Sequence, residues 1–341
     1  MEFSKTIATT GIIVELTPVP DADRLLAATV YCGDVGVWHG VVNKENGIAV
    51  GDLVEVYLPD AIVPQEARFD FMQKMKYRVR VARLRGALSE VLIMPLSDKV
   101  AEYTISEGVS IMGVVGVTKY VKDNIDPRFA LGDFPSHTPK TDEPNYQSLS
   151  ALHIGVFAGT KARQELEGMM WKPWVATVKY DGTSTTAYVD GGELKVCSRN
   201  LIVKGGEHWA AAKRYDLENK LGMFNGIALQ WETVGPGIQG NRAKLQDVQA
   251  RLFGGFDIAS QTYIGYDHLL ELADRLAIPM ADEVASGGAY NLNPADLDGL
   301  LNGLVYPNTA NKVEGIVVRT RAAMPREAKT SFKYLNPDYK G

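Results

Sequence analysis

The chain has 341 residues, of which 45% are hydrophobic and 23% charged, values typical of soluble globular proteins. This composition excludes an intrinsically disordered protein, a collagen and a coiled coil. The length predicts two domains, because a single hydrophobic core stops growing efficiently before this size. The formal net charge of −5 argues against a protein that coats nucleic acid by bulk charge, although a local basic patch can still bind phosphate.

Only two cysteines are present, Cys32 and Cys197, and the sequence contains no CxxC motif and no Cys/His cluster. It therefore predicts neither a disulfide framework nor a structural zinc site, which fits a reducing compartment. The start of the chain lacks the apolar run of a signal peptide, and no stretch is apolar for long enough to cross a membrane. We expect a cytoplasmic or nuclear protein that is not embedded in a membrane.

The first third of the chain contains short apolar alternations separated by Pro, Gly, Asp and Asn. The predicted strands are Gly11–Leu16, Leu26–Tyr31, Val35–Val42, Leu53–Leu58 and Val91–Met94. Strands at this spacing favour a small barrel. Their order resembles the OB-fold barrel of the tRNA-binding modules that accompany some aminoacyl-tRNA synthetases, and another five-stranded barrel is the alternative.

A basic stretch free of acidic residues lies within this region. Its cations are Lys74, Lys76, Arg78, Arg80, Arg83 and Arg85. The first four occur at every second position, which predicts that they share one face of a strand. Such a row is either a solvated edge strand or a nucleic-acid surface. Four like charges in a row repel one another, and a polyanion would relieve that repulsion.

An irregular stretch rich in proline separates the two halves of the chain. We predict a first domain over residues 1–115, a linker over 116–138 and a second domain over 139–341. The second half mixes helical and strand-like patterns, which is typical of an α+β domain. The predicted helices are Glu207–Phe224 and Tyr266–Ala277, and the predicted strands are Trp174–Val178, Thr185–Val189, Ile227–Trp231, Arg251–Ile258 and Gly315–Arg319.

A lysine stands at the end of one of these apolar strands. Lys179 is followed by Asp181 and Gly182, so a carboxylate and a glycine turn come directly after it. Desolvation and nearby cations lower the pKa of a lysine and make its neutral amine a nucleophile, so we expect a lowered pKa here. The alternative is an Asp-Gly hairpin turn preceded by an exposed lysine.

Five further motifs follow this lysine in chain order. They are Ser198-Arg199-Asn200, Trp231-Glu232-Thr-Val, Leu252-Phe-Gly-Gly-Phe256-Asp257-Ile258, Lys312-Val-Glu314-Gly315 and Ser331-Phe-Lys333. Together with Lys179-Tyr-Asp181-Gly182, these strings resemble motifs I, Ia, III, IIIa, IV and V of the covalent lysyl-nucleotidyltransferases, which comprise ATP-dependent DNA ligases, RNA ligases and capping enzymes. Six matches in the same order make the resemblance specific.

The domain order is similar to that of the Deinococcus-type RNA ligases. These place an OB barrel before the nucleotidyltransferase domain, whereas DNA ligases and capping enzymes place it after, and here motif V leaves no room for a following barrel. The resemblance implies an N-terminal all-β OB-fold barrel followed by an α+β nucleotidyltransferase (ligase adenylation) domain. It extends to Phe134-Pro-Ser and Lys140-Thr-Asp-Glu143, which look like features of the RNA ligase group.

The implied activity is that of an ATP-dependent RNA ligase. Lys179 would attack the α-phosphorus of ATP to form lysyl-AMP, the AMP would pass to an RNA 5′-phosphate, and an RNA 3′-hydroxyl would attack the activated end. The expected partner is RNA with 3′-hydroxyl and 5′-phosphate ends in a nicked duplex, and the expected enzyme is a monomer.

Each motif residue has an expected role. Lys333 would neutralise the phosphate and favour the neutral form of Lys179. Mg²⁺ or Mn²⁺ would be held by Asp181, Glu232 and Glu314, because hard cations prefer oxygen ligands. The resemblance implies nucleotide contacts for these residues and for Gly182, Arg199 and Phe256, with Phe256 stacked on adenine. RNA contacts are expected from Lys74, Lys76, Arg78, Arg80, Arg199 and Asn200.

Several alternatives remain at the level of sequence. Phe256 could be a core aromatic, and Lys329 could replace the first lysine that many relatives carry in motif V, where Ser331 stands. An ATP-dependent DNA ligase and a GTP-using capping enzyme are the alternative enzymes. A noncatalytic RNA-binding protein with an inactive second domain is the alternative from another class.

Overall fold

The structure is a computed structural model that describes residues 6–120, 127–146, 169, 172–328 and 331–339. The chain forms two compact units, with residues 6–120 in the first and residues 127–145 and 172–339 in the second. Within the described residues, no helix is both long and apolar enough to span a membrane.

The first unit is built mainly from short strands. In chain order its elements are β1 (Ala8–Pro18), β2 (Leu25–Tyr31), β3 (Val37–Asn43), β4 (Leu53–Tyr57), β5 (Ala61–Ile62), β6 (Ala82–Leu84), β7 (Ala87–Ser89), β8 (Leu92–Pro95), α1 (Asp98–Tyr103), α2 (Met112–Val115) and β9 (Thr118–Lys119). The main sheet is antiparallel, in the order β3-β2-β1-β4-β8. All five strands predicted from the sequence are therefore confirmed.

This main sheet curls until its two edges approach each other. Gly40 of β3 forms a bridge with Val91, just before β8. A Cβ atom on Gly40 would lie 2.6 Å from Cδ1 of Ile93, so glycine permits the close approach. The concave face buries an apolar core that includes Ile13, Trp38 and Ile93. The architecture is the predicted OB fold.

The basic stretch does not form the predicted strand. Residues Ala67–Met75 form a 3-10 helix, and Lys76 ends it in the left-handed conformation with φ 53°. Only Ala82–Leu84 is a strand. The expectation of four cations on one strand face was wrong: of these four only Arg78 forms a β-bridge, to Ile62, and the apolar residues between them are not uniformly buried, since Met75 is 45% exposed.

A buried carboxylate fixes this 3-10 helix to the barrel. Glu55 of β4 has no exposed surface and pairs with Arg68 of the helix. The same carboxylate accepts hydrogen bonds from the hydroxyl of Tyr57 at 2.5 Å and from the backbone N–H of Ser97 at 2.9 Å. A buried charge with several donors is satisfied, so the helix is held firmly in place.

The second unit contains two antiparallel sheets and three described helices. In chain order its elements are β10 (Ala130–Asp133), β11 (Trp174–Lys179), β12 (Thr183–Asp190), β13 (Glu193–Cys197), β14 (Leu201–Val203), α3 (Glu207–Arg214), β15 (Ile227–Val234), β16 (Gln249–Asp257), β17 (Thr262–Tyr263), α4 (Tyr266–Leu276), β18 (Glu283–Gly287), α5 (Pro294–Leu301), β19 (Gly315–Thr320), β20 (Met324–Pro325) and β21 (Ser331–Leu335). The larger sheet has the order β10-β14-β13-β12-β15-β16-β17-β20, and the smaller one β18-β11-β19-β21.

The predicted strands of this half are confirmed, and the first predicted helix is shorter than expected. Helix α3 ends at Arg214, and Asp216 adopts a left-handed conformation with φ 54°. Two short 3-10 turns replace the rest of the predicted helix Glu207–Phe224. The second predicted helix is confirmed, because α4 ends within one residue of its predicted boundary.

The predicted linker over 116–138 contributes to both units. Its first part forms β9, which pairs with β5 of the first unit. Its last part forms β10, which pairs with β14 of the second unit. Proline and glycine gave this stretch the appearance of a connector, but edge strands tolerate both residues because part of their backbone needs no partner.

Candidate active site

The nucleophile candidate stands where a buried strand emerges from the smaller sheet. The side chains of β11 are buried from Trp174 to Val178, and Lys179 is the first that is only partly buried. Asp181 and Gly182 then turn the chain into β12 of the larger sheet. The strand thus fixes the backbone of Lys179 on one side of the turn.

Lys179 is paired with the motif IV carboxylate. Its Nζ lies 2.5 Å from Oε2 of Glu314, and both side chains are about one quarter exposed. Burial alone would lower the pKa of Lys179, but Glu314, Glu232 and Asp181 outweigh it and raise the pKa. The predicted lowering was wrong for the free chain, because carboxylates rather than cations surround the amine.

The motif III carboxylate faces the same turn. Oε1 of Glu232 accepts a hydrogen bond from the backbone N–H of Gly182 at 3.1 Å. Gly182 packs directly on β15, since a Cβ atom there would lie 2.3 Å from the carbonyl oxygen of Thr233. Glycine is therefore required for the turn to approach Glu232 this closely.

A buried hydrogen-bond chain supports the strands on either side of Glu232. Nδ1 of His208 lies 2.7 Å from Oγ1 of Thr185, which lies 2.7 Å from Oγ1 of Thr233. The indole N–H of Trp231 donates to the same Thr233 hydroxyl at 2.9 Å. Burial lowers the pKa of His208, because a charged imidazole would be poorly solvated there. The chain ties α3, β12 and β15 together next to the motif III carboxylate.

The motif I carboxylate is held by a tyrosine that the sequence analysis did not identify. The hydroxyl of Tyr339 donates to Oδ2 of Asp181 at 2.6 Å. Tyr339 follows motif V, in the string Asn336-Pro-Asp-Tyr339. No spacing rule marks this residue, and only its position just beyond a motif could have suggested it.

Lys333 lies on the same sheet face as Lys179. In the register of the smaller sheet, Thr177 pairs with Val317 and Val317 pairs with Lys333. Directly paired residues and residues two apart share a face. Lys333 is therefore two strands, or about 10 Å, across the sheet from β11 and aimed to the same side as the nucleophile.

A cavity opens on this face within the second unit. Its lining includes Gln230, Phe253, Gly254, Tyr263, Arg319 and Ser331, together with residues 140–143. Between Gln230 and Trp231 the register of β15 with β16 shifts, and Phe253 has no opposite residue. A bulge of this kind redirects side chains, and here it brings Phe253 to the cavity.

The structure buries the aromatic residue that is predicted to stack on adenine. Phe256 has no exposed surface, and its ring packs edge-on against Tyr263 with centroids 5.2 Å apart. The ring is buried in the free chain, and because Phe256 pairs with Ala228 it lies on the sheet face that also carries Glu232. Phe253 lines the cavity and is a second aromatic ring on β16. Periodicity could not distinguish the two, because the bulge changes the phase of the strand.

The motif Ia residues contact the stretch that begins at Lys140. Arg199 pairs with Asp142 through its Nη2 atom. The Nζ atom of Lys140 donates to Oδ1 of Asn200 at 3.1 Å. The structure therefore joins two of the strings that the sequence analysis singled out independently.

The next residue of that stretch reaches the far side of the cavity. Glu143 accepts a hydrogen bond from Ser331 and lies 3.6 Å from Nη2 of Arg319. Arg319 also donates to Oγ1 of Thr177 at 3.2 Å and lies over the ring of Phe253 at 5.5 Å. This guanidinium therefore holds Glu143, Thr177 and Phe253 together at the cavity wall.

The donor set around Lys179 suits a divalent cation. Asp181, Glu232 and Glu314 act on Lys179 together, so three carboxylates surround one ammonium and leave the site with excess negative charge. Their oxygens are the ligands that Mg²⁺ and Mn²⁺ prefer. In the described part of the chain, no group of three or more Asp, Glu, His or Cys side chains is arranged so that it could hold a metal ion without rearrangement. Lys329 lies outside the described residues.

Comparisons with known proteins agree with this architecture. Residues 172–335 match the RNA ligase family, and residues 7–96 match an OB-fold domain. Naegleria gruberi RNA ligase with PPi is 25% identical, with a TM-score of 0.75 over 97% of this chain and 96% of that chain. Two alanine variants of that ligase, one with ATP and Mn and one with AMP and Mn, are also 25% identical, each with a TM-score of 0.77 over 97% of both chains. No curated protein matches the chain.

Lys179 lies at the end of a buried strand, next to three carboxylates and between two antiparallel sheets. This arrangement is that of a covalent nucleotidyltransferase. The matched family and the solved structures narrow this class. The ligase unit matches the RNA ligase family, the first unit matches an OB-fold domain, and the chain is similar over 97% of its length to a solved RNA ligase.

Proposed function

We propose that this RNA ligase consumes ATP, uses a divalent metal ion and seals nicks in duplexes that carry RNA 3′-hydroxyl and 5′-phosphate ends. The observation that carries the proposal is the meeting of Lys179 and Glu314 at 2.5 Å, at the edge of the face that holds Lys333. The solved relatives support the choice of nucleotide and metal, since their structures are with PPi, with ATP and Mn, and with AMP and Mn.

The first step forms a bond between Lys179 and AMP. Nζ attacks the α-phosphorus of ATP, and the bond to the departing pyrophosphate breaks. The attacking amine must lose a proton, and Oε2 of Glu314 is in position to accept it. Lys333 shares the sheet face of Lys179, and its positive charge would stabilise the negative charge on the phosphate oxygens.

The next two steps transfer the AMP and then release it. An oxygen of the RNA 5′-phosphate attacks the lysyl-bound phosphorus, and the lysine leaves as an amine that regains its proton. The RNA 3′-hydroxyl then attacks the activated 5′-phosphate, loses its proton and displaces AMP. All three steps are phosphoryl transfers governed by positioning and charge, so one site serves them all.

A divalent metal ion fits the carboxylates around the nucleophile. Asp181, Glu232 and Glu314 would hold it, directly or through water. When bound, it would neutralise phosphate charge and offset the excess of carboxylates at the site.

The first unit supplies a candidate RNA surface. Lys74, Lys76 and Arg80 are exposed, and Phe71 is 57% exposed on the same 3-10 helix as Lys74. Arg78 is less exposed, at 22% of its side chain, and it pairs with Asp60 at 2.6 Å and stacks on the ring of Tyr120 at 3.6 Å. Exposed cations beside an exposed aromatic favour RNA backbone and base contacts, so we assign the surface to Lys74, Lys76 and Arg80 and give Arg78 a structural role.

The location is proposed from the cysteines. Cys32 and Cys197 are both free and buried. Two unpaired thiols favour a reducing compartment, so we propose that the enzyme acts in the cytoplasm or the nucleus, as a monomer.

The decisive experiment measures transfer of labelled AMP from ATP to the chain in the presence of Mg²⁺ or Mn²⁺. Mass spectrometry should find the adenylate on Lys179, and Lys179→Ala should remove it. Absence of label from the wild-type chain would refute the function. Replacing ATP by GTP, and a ribose by a deoxyribose 3′ end at the nick, then separates an RNA ligase from a capping enzyme and a DNA ligase.

Substrate choice needs a separate comparison. A panel of nicked, gapped and single-stranded RNAs should show the fastest sealing at nicks, and faster sealing of single strands would overturn that part of the proposal. Lys76→Ala with Arg80→Ala should weaken RNA binding and reduce its salt dependence by about two charges, while leaving adenylylation unchanged. The matched control is Lys44→Ala with Lys99→Ala, two exposed lysines of the same unit.

A further inference from the structure

One buried tyrosine outside every motif contacts the backbone of both segments that carry the Lys179–Glu314 ion pair. Tyr306 lies between α5 and β19, and only 1% of its surface is exposed. Its phenolic oxygen accepts a hydrogen bond from the backbone N–H of Asp181 at 3.2 Å and another from that of Glu314 at 3.3 Å. Its hydroxyl donates to the carbonyl oxygen of Lys179 at 3.5 Å. One hydroxyl therefore uses all of its hydrogen-bonding capacity on the two turns that carry the chemistry.

These contacts lie where the strand ladder stops. Lys179 and Gly315 form the last pair between β11 and β19, so Asp181 and Glu314 lie beyond the ladder. Their backbone N–H groups have no strand partner there, and a partly buried N–H group without a partner costs free energy. The hydroxyl of Tyr306 takes the place of the missing rung and joins two segments that are far apart in sequence.

The tyrosine is itself held in place. Its ring packs on that of Tyr180 with centroids 5.1 Å apart. Its backbone N–H donates to the carbonyl oxygen of Asn311 at 2.9 Å, and its own carbonyl accepts from the backbone N–H of Thr309 at 3.1 Å. A brace can set the position of other groups only if it is rigid, and these contacts provide that rigidity.

We propose that Tyr306 is a positioning residue that sets Lys179 against Glu314 for the attack on ATP. The inference rests on the function proposed above and extends it to a buried residue that lies outside every motif. Misplacing a reacting group by about 1 Å can slow a reaction about 100-fold, so fixing both turns from one hydroxyl has a kinetic consequence.

The three-step reaction allows this role to be separated from a general effect on folding. Adenylylation needs the Lys179 amine as nucleophile, whereas sealing of RNA that already carries a 5′-adenylate does not. Tyr306→Phe removes only the hydroxyl. We expect the rate constant of adenylylation at saturating ATP to fall at least about tenfold, with the half-saturating ATP concentration and the sealing of pre-adenylylated RNA both within about threefold of wild type.

The matched control is Tyr215→Phe. The Tyr215 hydroxyl also accepts a backbone N–H, that of Ala250 at 3.3 Å, but neither residue belongs to a motif turn. Both rates should stay within about threefold of wild type in this control. Equal losses of adenylylation and sealing in Tyr306→Phe, or no loss of either, would overturn the proposal.

If Tyr306→Phe does not fold, 3-fluorotyrosine at position 306 keeps the ring and the hydroxyl but weakens the oxygen as an acceptor. It must slow adenylylation more than sealing for the proposal to stand, and equal rates would refute it. Adenylylation of the wild-type chain, measured alongside, tests the proposed function separately.

Discussion

Gly182→Ala tests how closely the motif I turn must approach the motif III strand. A Cβ atom at this position would lie 2.3 Å from the carbonyl oxygen of Thr233 and 2.8 Å from Cγ of Glu232. The nearest atom belongs to the backbone of β15, which pairs with strands on both sides and cannot move aside. The turn itself must therefore shift, and the hydrogen bond from the Gly182 N–H to Glu232 weakens.

Two contributions set the expected size of the effect. Overpacking of this kind costs about 1–3 kcal/mol of unfolding free energy. A lost hydrogen bond to a charged group adds about 1.5–3 kcal/mol where the carboxylate is left without its donor. If about 1.4–2.7 kcal/mol of this lost stabilisation also raises the activation free energy of adenylylation, the rate falls about 10–100-fold. Urea unfolding and the rate of AMP labelling measure the two quantities.

The control for this variant is Gly132→Ala. Gly132 lies on β10 of the same unit, and an added Cβ would meet nothing within 4 Å. The control should unfold and react like the wild-type chain. If Gly182→Ala were as stable and as active as this control, the argument from close approach would be refuted.

Four further variants test other parts of the structure. Phe253→Ala should raise the half-saturating ATP concentration about tenfold with little change in stability. Phe256→Ala should instead cost about 3–5 kcal/mol of unfolding free energy. Nucleotide titration and urea unfolding measure the two effects, and the reverse pattern would contradict a nucleotide contact for Phe253 and a packing role for Phe256. Burial lowers the pKa of His208, so below about pH 6.5 the unfolded chain binds more protons than the folded chain. The free energy of unfolding should therefore decrease as the pH is lowered, by up to about 1.4 kcal/mol per pH unit. Melts of His208→Gln should show a weaker pH dependence than wild type, and equal slopes would count against the buried neutral imidazole. Glu55→Ala should destabilise the first unit by about 3–5 kcal/mol, because its arginine partner loses a buried counter-charge; an unchanged unfolding midpoint would show that the pair contributes nothing.

Much of the fold follows from local sequence patterns. The strands of both units were predictable because alternating apolar residues at a period of two have one stable arrangement, half-buried in a sheet. The prediction for the basic stretch failed because its alternation in sequence does not correspond to alternating burial: Val79 is buried, whereas Met75 is 45% exposed. A pattern of burial does not by itself identify the backbone that produces it.

The site was predictable in its motifs and not in its supports. Lys179 and Glu314 were found from the strings that carry them, and the structure brings them into contact. Tyr306 and Tyr339 were missed, because a hydroxyl that braces a turn can come from any segment that folds nearby. The raised pKa of Lys179 was missed because charge balance depends on which side chains are nearest in space, and sequence spacing does not give that distance.

The extra residue at Phe253 has a consequence for the length of its strand. Side chains of a strand alternate between two faces, so adding or removing one residue of β16 would transfer the Phe256 ring to the opposite side of the sheet. Adding two would restore the original faces. A single inserted residue should therefore be tolerated only where another bulge absorbs it, as the bulge at Phe253 already does, so the length of this strand indicates whether a related chain keeps Phe256 on its present face.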